Sequence, residues 1–409
     1  MKKIELLSPA GDLEKLKVAF AYGADAVYMG GKALGMRAKA KNFEIDEMEE
    51  GIKHAHSIGK KVYVTTNIFA RNADFSGIED YFLKLEQIKA DALIISDFGV
   101  YEAAKKTIPK MEIHISTQAN NTNYASVNFW KGLGAARVIL ARELSIGEIA
   151  EIHQKTAGIE LESFVHGAMC MAYSGRCLIS NFMNGRDANR GECSQPCRWN
   201  YTLMEEKSGK LLPVFEDDDG AYIFSSKDLC MIQHIPSLVN AGIKSFKIEG
   251  RIKTSYYVGV VTKAYREALD DFLSDPALYE SKREYYQAEL GKISHRDYTT
   301  GFYFGKMTED GQAYTDIPQL GTQDFLAMVH GYDEKTGMCD IEQRNKFEVG
   351  DAVEVIKTKG ANHCQTIDAI YNENGEKVHS APHPLERLKL RLEVPVGRYD
   401  MIRKSPARH

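Results

Sequence analysis

The chain has 409 residues, of which 44% are hydrophobic and 27% charged, and its formal net charge is −5. This size allows one large domain and a smaller one, and the composition is that of a globular protein. The net charge excludes a surface covered with basic residues, although one local basic face is enough to bind RNA. The sequence has no apolar run long enough for a membrane span and no signal-peptide pattern at its start. We therefore expect a cytoplasmic protein with no membrane partner.

The first part of the chain alternates between strand-like and helix-like patterns. Leu13, Leu16 and Phe20 recur at helical spacing, and Asp12 is placed to cap that helix. The eight predicted strands are residues 4–7, 26–29, 61–65, 92–96, 112–116, 137–141, 161–165 and 245–248. Eight strands alternating with helices favour an α/β fold with a parallel (β/α)8, or TIM-like, barrel. A doubly wound open sheet is the alternative, but no Gly-x-Gly-x-x-Gly turn follows the first strand.

The interval between the seventh and eighth strands is much longer than the others, which indicates an insert over about residues 167–235. In a barrel, the loop that follows a strand lies on the catalytic face. The chain then divides into the barrel with its insert (1–272), a helical or irregular connector (273–321) and a C-terminal β-barrel-like domain (322–409). The connector includes a charged, poorly patterned stretch at 275–298. The strands predicted in the C-terminal domain, which should pair antiparallel, are residues 325–332, 338–344, 352–356, 365–371 and 388–393.

Five of the seven cysteines lie in or beside the insert, and Cys170, Cys177, Cys193 and Cys197 have the spacings C-x6-C, C-x15-C and C-x3-C. In a reducing cytoplasm, such a cluster is more typical of a metal site than of disulfides. Four thiolates suit an iron–sulfur cluster, which we expect to be of the [4Fe–4S] type. A structural zinc site, which usually has C-x2-C pairs, and buried or redox-paired cysteines are the alternatives. Cys230 could replace Cys197 as the fourth ligand.

The residues around the first two cysteines match a longer pattern. The run Glu162-x-Phe164-x-x-Gly-Ala-Met-Cys170-x4-Gly175-x-Cys177-x-Ile-Ser resembles the signature of the collagenase-like peptidase family U32. The resemblance extends to LSPAGD (7–12), DAVYMG (25–30), KIEGR (247–251) and the C-terminal β domain. The segments NGRDANRG (184–191) and CRW (197–199) are most similar to the branch of tRNA uridine-5-hydroxylation proteins.

This resemblance implies an enzyme that makes 5-hydroxyuridine at the wobble position, with the anticodon loop of tRNA as its RNA partner. It also implies dependence on prephenate or a derivative as co-substrate, and on the iron–sulfur assembly machinery. An electron donor is a further expected partner if the cluster transfers electrons. Members of the family hydroxylate ribosomal RNA or the ubiquinone ring, in the latter case without molecular oxygen.

Two other functions remain open on the sequence. The chain has neither a Gly-x-Ser-x-Gly elbow nor a His-Glu-x-x-His zinc helix, which argues against common peptidase mechanisms. His166 nevertheless lies four residues before Cys170, so a Cys/His pair leaves a U32-type peptidase as one alternative. A non-catalytic RNA-binding protein with a structural cluster is the other.

Side chains at the C-terminal ends of barrel strands face the substrate, which selects His166 and Glu249 as candidate catalytic residues. The candidate substrate-binding residues are Arg37, Asn67, Arg142 and Arg251. Guanidinium groups bind carboxylates such as those of prephenate in bidentate fashion. Each candidate also has a structural alternative. His166 could be a hydrogen-bonded core histidine, Glu249 a structural partner of a neighbouring Lys or Arg, and each arginine a member of a surface or inter-helix salt bridge.

The insert also carries basic and aromatic residues that could hold RNA phosphate and stack a flipped base. These candidate RNA-binding residues are Arg186, Arg190, Arg198 and Trp199. The alternative is a solvated loop in which the arginines pair with Asp187 and Glu192.

Overall fold

The structure is a computed structural model that describes residues 4–32, 34, 42–170, 172–199, 203–204, 211–212, 216–217, 220–221, 227–305 and 323–405. For residues 198, 203–204, 211–212, 216–217 and 220–221 it describes the backbone alone. The prediction for Arg37 lies outside the described residues.

Eight parallel strands form a closed barrel in the first domain. They are β1 (Glu5–Pro9), β2 (Ala26–Gly30), β3 (Lys61–Thr66), β4 (Ala92–Ile95), β5 (Glu112–Ile115), β6 (Arg137–Ile139), β7 (Glu160–Ala168) and β13 (Ser245–Ile248). Each strand pairs with the next, and β13 closes the ladder by pairing with both β7 and β1. The predicted (β/α)8 barrel is therefore confirmed, and the open-sheet alternative is wrong because the ladder has no free edge.

Helices cover the outside of the barrel. They are α1 (Leu13–Ala21), α2 (Ile45–Ser57), α3 (Ile78–Gln87), α4 (Phe98–Thr107), α5 (Tyr124–Gly132), α6 (Ile146–Lys155), α8 (Ile235–Asn240), α9 (Ser255–Ser274) and α10 (Pro276–Leu290). Asp12 caps α1 as predicted, since its Oδ1 accepts the Lys15 backbone N–H at 2.9 Å. Among the described residues, none of the helices combines the length and apolar character needed to cross a membrane.

A network of charged side chains lies toward the N-terminal ends of the barrel strands. Arg137 on β6 bonds the carboxylates of Glu5, Glu160 and Glu162, and Lys247 on β13 donates to Glu162 Oε1 at 3.0 Å. Arg137, Glu162 and Lys247 are all buried. The two cations are paired with three carboxylates, and these ion pairs link β1, β6, β7 and β13 below the mouth.

The insert leaves the barrel after β7 and returns through β12 (Asp228–Cys230), which pairs antiparallel with the end of β7. Strand β12 also pairs with β14 (Tyr298–Thr299), so the end of the insert is fixed to the barrel wall. The elements described between β7 and β12 are α7 (Ile179–Asn184) and the antiparallel pairs β8 (Leu203–Met204) with β9 (Leu211–Leu212) and β10 (Glu216–Asp217) with β11 (Gly220–Ala221). The predicted position of the insert, after the seventh barrel strand, is confirmed.

Helix α10 occupies much of the stretch that appeared poorly patterned in the sequence. Asp275 caps it by accepting the Ala277 N–H at 2.9 Å, and Pro276 takes the first helical position. Its buried face is made largely of the tyrosines Tyr279 and Tyr286, which are surrounded in sequence by charged residues. The apolar periodicity of this helix is therefore weak. In the sequence, its clearest signal is the pair Asp275 and Pro276, which marks a helix start.

The C-terminal domain is an antiparallel sheet with its own hydrophobic core. Its main strands are β15 (Phe325–Asp333), β16 (Met338–Gln343), β18 (Ala352–Ile356), β19 (His363–Thr366), β20 (Ile370–Tyr371), β21 (Lys377–Val378), β23 (Arg387–Arg391) and β24 (Met401–Lys404), with β17 (Phe347–Glu348) and β22 (Ser380–Ala381) forming a separate pair. The predicted antiparallel β domain is confirmed. The single strand predicted at 365–371 is wrong, because this segment contributes to β19 and β20, which pair with different neighbours. The order given by the described strands is linear, with no pair joining β19 to β21.

This domain packs directly on the helices of the barrel. Arg403 on β24 is fully buried and donates to Glu289 of α10 and to Glu354 of β18, at 2.8 and 2.7 Å. The Tyr256 ring of α9 stacks on Phe325 with 5.2 Å between centroids. The contacts join buried charge and aromatic surface across the boundary, so the two domains share an interface.

Candidate active site at the barrel mouth

Arg251 follows β13 and lies buried where the barrel strands end. Its Nη1 donates to Thr65 Oγ1 at 2.8 Å, and its Nη2 donates to Asn42 Oδ1 at 3.2 Å. A Cβ atom on Gly30 would lie 2.5 Å from Arg251 Nη1, so glycine at this position leaves the room that the guanidinium occupies. The structure thus places Arg251 at the predicted position, and its role in substrate binding stays a prediction.

Arg142 and Glu249 lie together at the same end of the barrel. Arg142 Nη2 is 3.8 Å from Glu249 Oε2, and Arg142 Nη1 donates to the Ala168 carbonyl at 2.8 Å. The guanidinium also lies over the Phe164 ring, 3.9 Å from its centroid. Arg142 Nε is buried and has no hydrogen-bond partner within the described part of the chain. Glu249 therefore has the arginine partner that the structural alternative predicted, in a position that also faces the mouth.

A second polar group lies at the ends of β3 and β5. Asn67 Nδ2 donates to Ser116 Oγ at 3.1 Å, and the same oxygen accepts the Gln118 backbone N–H at 3.3 Å. Two acceptors here, Asn67 Oδ1 and Gln118 Oε1, are buried without a hydrogen-bond partner among the residues described. Buried polar atoms without partners are uncommon in proteins, and at a barrel mouth they indicate a place for a ligand.

The insert is fastened to the loop that follows β3. The Arg190 guanidinium bonds both Asp74 carboxylate oxygens at 2.8 Å, and Arg71 lies 3.2 Å from Asp187. The hydrogen bond from Arg190 lowers the pKa of Asp74 from 3.8 to about 2. Arg190 therefore forms a structural ion pair, and its bidentate partner is Asp74. The sequence had suggested Asp187 or Glu192 of the insert as the partner. Its predicted contact with RNA is not favoured.

The other predicted RNA-binding residues differ in exposure. Trp199 is 40% exposed, Arg186 is half-buried, and Arg198 is described by its backbone alone. Near the first two cysteines, the Arg176 guanidinium lies over the Phe69 ring at 4.7 Å, and Phe182 of α7 is 88% exposed. The insert thus presents aromatic side chains and cations to solvent, as the prediction of an RNA-contacting loop requires.

The four candidate cysteine ligands are free of disulfides, and each is at least partly accessible. The Gln195 backbone N–H donates to Cys193 Sγ at 3.4 Å, the kind of contact that stabilises a thiolate. In the described residues, no three His, Cys, Asp or Glu side chains are grouped so as to hold one metal ion, as a zinc site requires. The chemistry of the donors suits an iron–sulfur cluster, but this arrangement does not form a ready-made metal site.

Cys230 has a different environment from the cysteines of the insert. It is buried, and its Sγ donates to Gln287 Oε1 of α10 at 3.6 Å. Burial raises the pKa of the Cys230 thiol to about 12. Metal binding requires the thiolate, so the structure does not favour Cys230 as a replacement for Cys197.

His166 lies away from the reactive position predicted for it. A bulge in the pairing of β7 with β13 changes the alternation of side chains just before His166. Its ring then packs among Tyr257, Tyr265 and Tyr298, at centroid distances of 5.9, 5.6 and 5.4 Å. Burial lowers the pKa of His166 to about 3, so it is neutral at pH 7 and a weak base. The packing favours a core histidine over a catalytic one, but the expected hydrogen bond is not seen at Nδ1, which is buried without a partner among the described residues.

Several residues at the mouth were not singled out from the sequence. Asn189 of the insert accepts the Phe69 N–H at 2.7 Å, and Thr65 and Asn42 hold Arg251. The only sequence signal for Asn189 was its place in the segment NGRDANRG. Its contact is with a residue 120 positions earlier, which no local pattern reveals.

Together the fold and the site define a TIM-type barrel whose mouth carries arginines and carboxamides beneath a cysteine-bearing insert. The family model described as "Peptidase family U32" matches residues 11–313, and that of the "Peptidase family U32 C-terminal domain" matches residues 321–403. The chain belongs to peptidase family U32.

Curated relatives support this assignment over nearly the whole chain. The chain is 43% identical to a Bacillus subtilis protein described as tRNA hydroxylation protein P1, over 99% of this chain and 95% of the relative. It is 37% identical to the Escherichia coli tRNA hydroxylation protein P, over 93% and 92% of the two chains. A 23S rRNA 5-hydroxycytidine synthase of Escherichia coli is 38% identical over 72% of this chain and 42% of its own length.

Proposed function

We propose that this protein is a cytoplasmic tRNA-modifying enzyme that hydroxylates the 5-position of the wobble uridine. The observation that carries the proposal is the mouth of the barrel, where Arg142 and Arg251 are buried at the strand ends. At the same end, Asn67 Oδ1 and Gln118 Oε1 are buried without a hydrogen-bond partner among the described residues. The names of the relatives, which concern hydroxylation of tRNA and of a cytidine in ribosomal RNA, support an RNA pyrimidine as substrate.

The two arginines are suited to a dicarboxylate co-substrate, which we propose is prephenate or a derivative. Arg142 is held by the Ala168 carbonyl and by Glu249, and it keeps a buried Nε without a partner in the described residues. Arg251 is buried at the same end of the barrel and donates to Thr65 and Asn42. Guanidinium groups fixed in this way lose little side-chain entropy when they bind a carboxylate.

Replacing C5–H of the base with C5–OH removes two electrons, so the reaction needs an electron acceptor and a source of oxygen. We propose that Cys170, Cys177, Cys193 and Cys197 bind an iron–sulfur cluster, which would supply electron-transfer chemistry when bound. The assembly machinery would deliver the cluster. With water as the oxygen source, the step releases two electrons and two protons, so the redox partner must accept electrons, where the sequence led us to expect an electron donor. Ordering of the insert around a cluster would bring together thiols that are not grouped for a single ion here.

The exposed aromatic and basic side chains of the insert are the proposed contact with the anticodon loop. Trp199 and Phe182 offer faces for base stacking, and Arg186 offers a cation for phosphate. In the part of the chain that the structure describes, no observation favours a peptidase: His166, the base of the suggested Cys/His pair, is buried among tyrosines.

Mass spectrometry of tRNA nucleosides tests the proposed reaction. Deleting the gene in its host, together with any paralogue, should remove 5-hydroxyuridine and its derivatives from tRNA, and the wild-type gene should restore them. Unchanged levels in the deletion strain would contradict the proposal.

The cluster is tested on protein purified without air. The wild type should contain iron and absorb visible light, and Cys177→Ser should lose most of both. Cys364→Ser is the matched control, because this exposed cysteine lies on β19 of the C-terminal domain. Iron-free, colourless wild-type protein, or equal iron in both variants, would contradict the proposed cluster.

A further inference from the structure

We propose that Gln118 and Asn189, facing each other across Gly175, form a pocket for the imide edge of a uracil base. Gln118 follows β5 at the barrel mouth, and both Asn189 and Gly175 belong to the insert. This inference rests on the proposed function, and it goes further by assigning the recognition of the base to particular side chains.

Both carboxamides are buried, and each has a hydrogen-bonding atom that is not used within the described residues. Gln118 is 8% exposed and Asn189 is 7% exposed. Gln118 Oε1, an acceptor, and Asn189 Nδ2, a donor, have no partner among the residues that the structure describes. Leaving such atoms unpaired destabilises the folded state by about 1–3 kcal/mol each, so a ligand that pairs with them would be bound favourably.

The two carboxamide groups both lie next to Gly175. A Cβ atom built on Gly175 would lie 1.8 Å from Gln118 Oε1 and 3.3 Å from Asn189 Nδ2. Gly175 also has a φ of +75°, which favours glycine. The absence of a side chain here lets the insert approach Gln118 closely and keeps the two amides near each other.

A hydrogen bond fixes the orientation of the Asn189 carboxamide. Its Oδ1 accepts the Phe69 backbone N–H at 2.7 Å, so Nδ2 is the atom left to bind a ligand. The ion pairs of Arg190 with Asp74 and of Arg71 with Asp187 hold the same part of the insert against the β3–α3 loop. The donor is therefore preorganised by contacts on both sides of it in sequence.

The chemistry of the pair selects the ligand. One acceptor beside one donor complements the N3–H and a neighbouring carbonyl of uracil. Cytosine can meet the same pair through its 4-amino group and N3, so the pair requires a free N3 edge but does not by itself distinguish uracil from cytosine. A carboxylate fits less well, because both side chains are neutral and the arginines at the mouth offer charge.

Binding of synthetic anticodon stem-loops tests the pocket. Three probes carry uridine, 3-methyluridine or cytidine at the wobble position and are otherwise identical. The wild-type protein should bind the uridine and cytidine probes about tenfold more tightly than the 3-methyluridine probe, which is the effect of one good hydrogen-bonded contact. Equal affinity for the uridine and 3-methyluridine probes would overturn the inference.

Two variants identify the side chains responsible. Asn189→Asp keeps an oxygen for the Phe69 N–H but replaces the donor by an acceptor, so its affinity for the uridine probe should fall toward that for the 3-methyluridine probe. Gln118→Met should remove the discrimination against 3-methyluridine while leaving most of the affinity for RNA. Gln87→Met, at the exposed end of α3, is the control and should behave as the wild type.

The outcomes separate the two proposals. If the wild type hydroxylates tRNA but both variants keep its base preference, the pocket is wrong and the proposed function stands. If the wild type neither binds nor modifies tRNA, the proposed function itself fails.

Discussion

Arg142 Nη2 lies 3.8 Å from Glu249 Oε2, and Arg142 Nη1 bonds the last residue of β7 through the Ala168 carbonyl. One guanidinium thus joins the last residue of β7 to the residue that follows the neighbouring strand β13. The guanidinium is buried over the Phe164 ring, where its charge is weakly screened by water. This relationship makes Arg142 the residue best placed to couple the barrel wall to an anionic ligand.

Arg142→Lys is expected to weaken co-substrate binding. Lysine keeps the positive charge but cannot bond Ala168 and a carboxylate with a planar fork, so the KM for prephenate should rise about tenfold. Steady-state tRNA hydroxylation assays would measure this change. Arg283→Lys, in the Arg283–Glu280 pair of α10, is the control and should leave KM unchanged. An unaltered KM in Arg142→Lys would exclude Arg142 from the co-substrate site.

Gly30→Ala should displace the Arg251 guanidinium without unfolding the barrel. The added Cβ would lie 2.5 Å from Arg251 Nη1, and the flexible end of the arginine would have to move. We expect about tenfold weaker co-substrate binding, with a small change in thermal stability. Gly132→Ala on α5 meets no atom within 4 Å and should leave binding intact. Full binding in Gly30→Ala would show that the position of Arg251 is unimportant.

Asp74→Asn should loosen the insert from the loop after β3. Without the charged bond to Arg190, the backbone amides of insert residues 187–192 should exchange hydrogen about fivefold faster at pH 7. Asp80→Asn, at an exposed position of α3, is the control and should leave this exchange rate unchanged.

The same ion pair predicts a pH dependence. The pKa of Asp74 is lowered from 3.8 to about 2, so its stabilising effect is complete above pH 3.8 and disappears as the pH falls through about 2. After correction for intrinsic exchange, the wild type should approach Asp74→Asn only at the acid end. A constant difference down to pH 2 would mean that another contact holds the insert.

Arg403→Met should destabilise the docking of the C-terminal domain. It would remove the buried cation that Glu289 and Glu354 share and leave Lys292 as the cation that contacts both carboxylates, so the cost should be below the roughly 3–5 kcal/mol of a fully unpaired buried charge. Urea unfolding should show a lower midpoint, whereas Arg391→Met, at an exposed position of β23, should not. Adding Glu289→Gln and Glu354→Gln to Arg403→Met should recover part of the loss, because the two carboxylates would otherwise share one lysine. No loss in Arg403→Met would place the stabilising contacts elsewhere.

The sequence by itself determined the barrel, the place of the insert and the family. Strands and helices have short periods, so the eight segments from 4–7 to 245–248 were readable from neighbouring residues alone. The position of Cys170 and Cys177 after the seventh strand followed from the same pattern. The helix α10 was not recognised from this periodicity, because its buried tyrosines are interleaved with charged residues.

The tertiary structure decided which side chains meet. A bulge in β7 directs the His166 ring toward a cluster of tyrosines. Arg190 is paired with Asp74, which lies 116 positions earlier in the chain. Gln118 and Asn189 came together only because the insert folds back over the end of β5. Such contacts depend on where the closed barrel brings distant loops, and burial and pairing there set the charge and reactivity of each group.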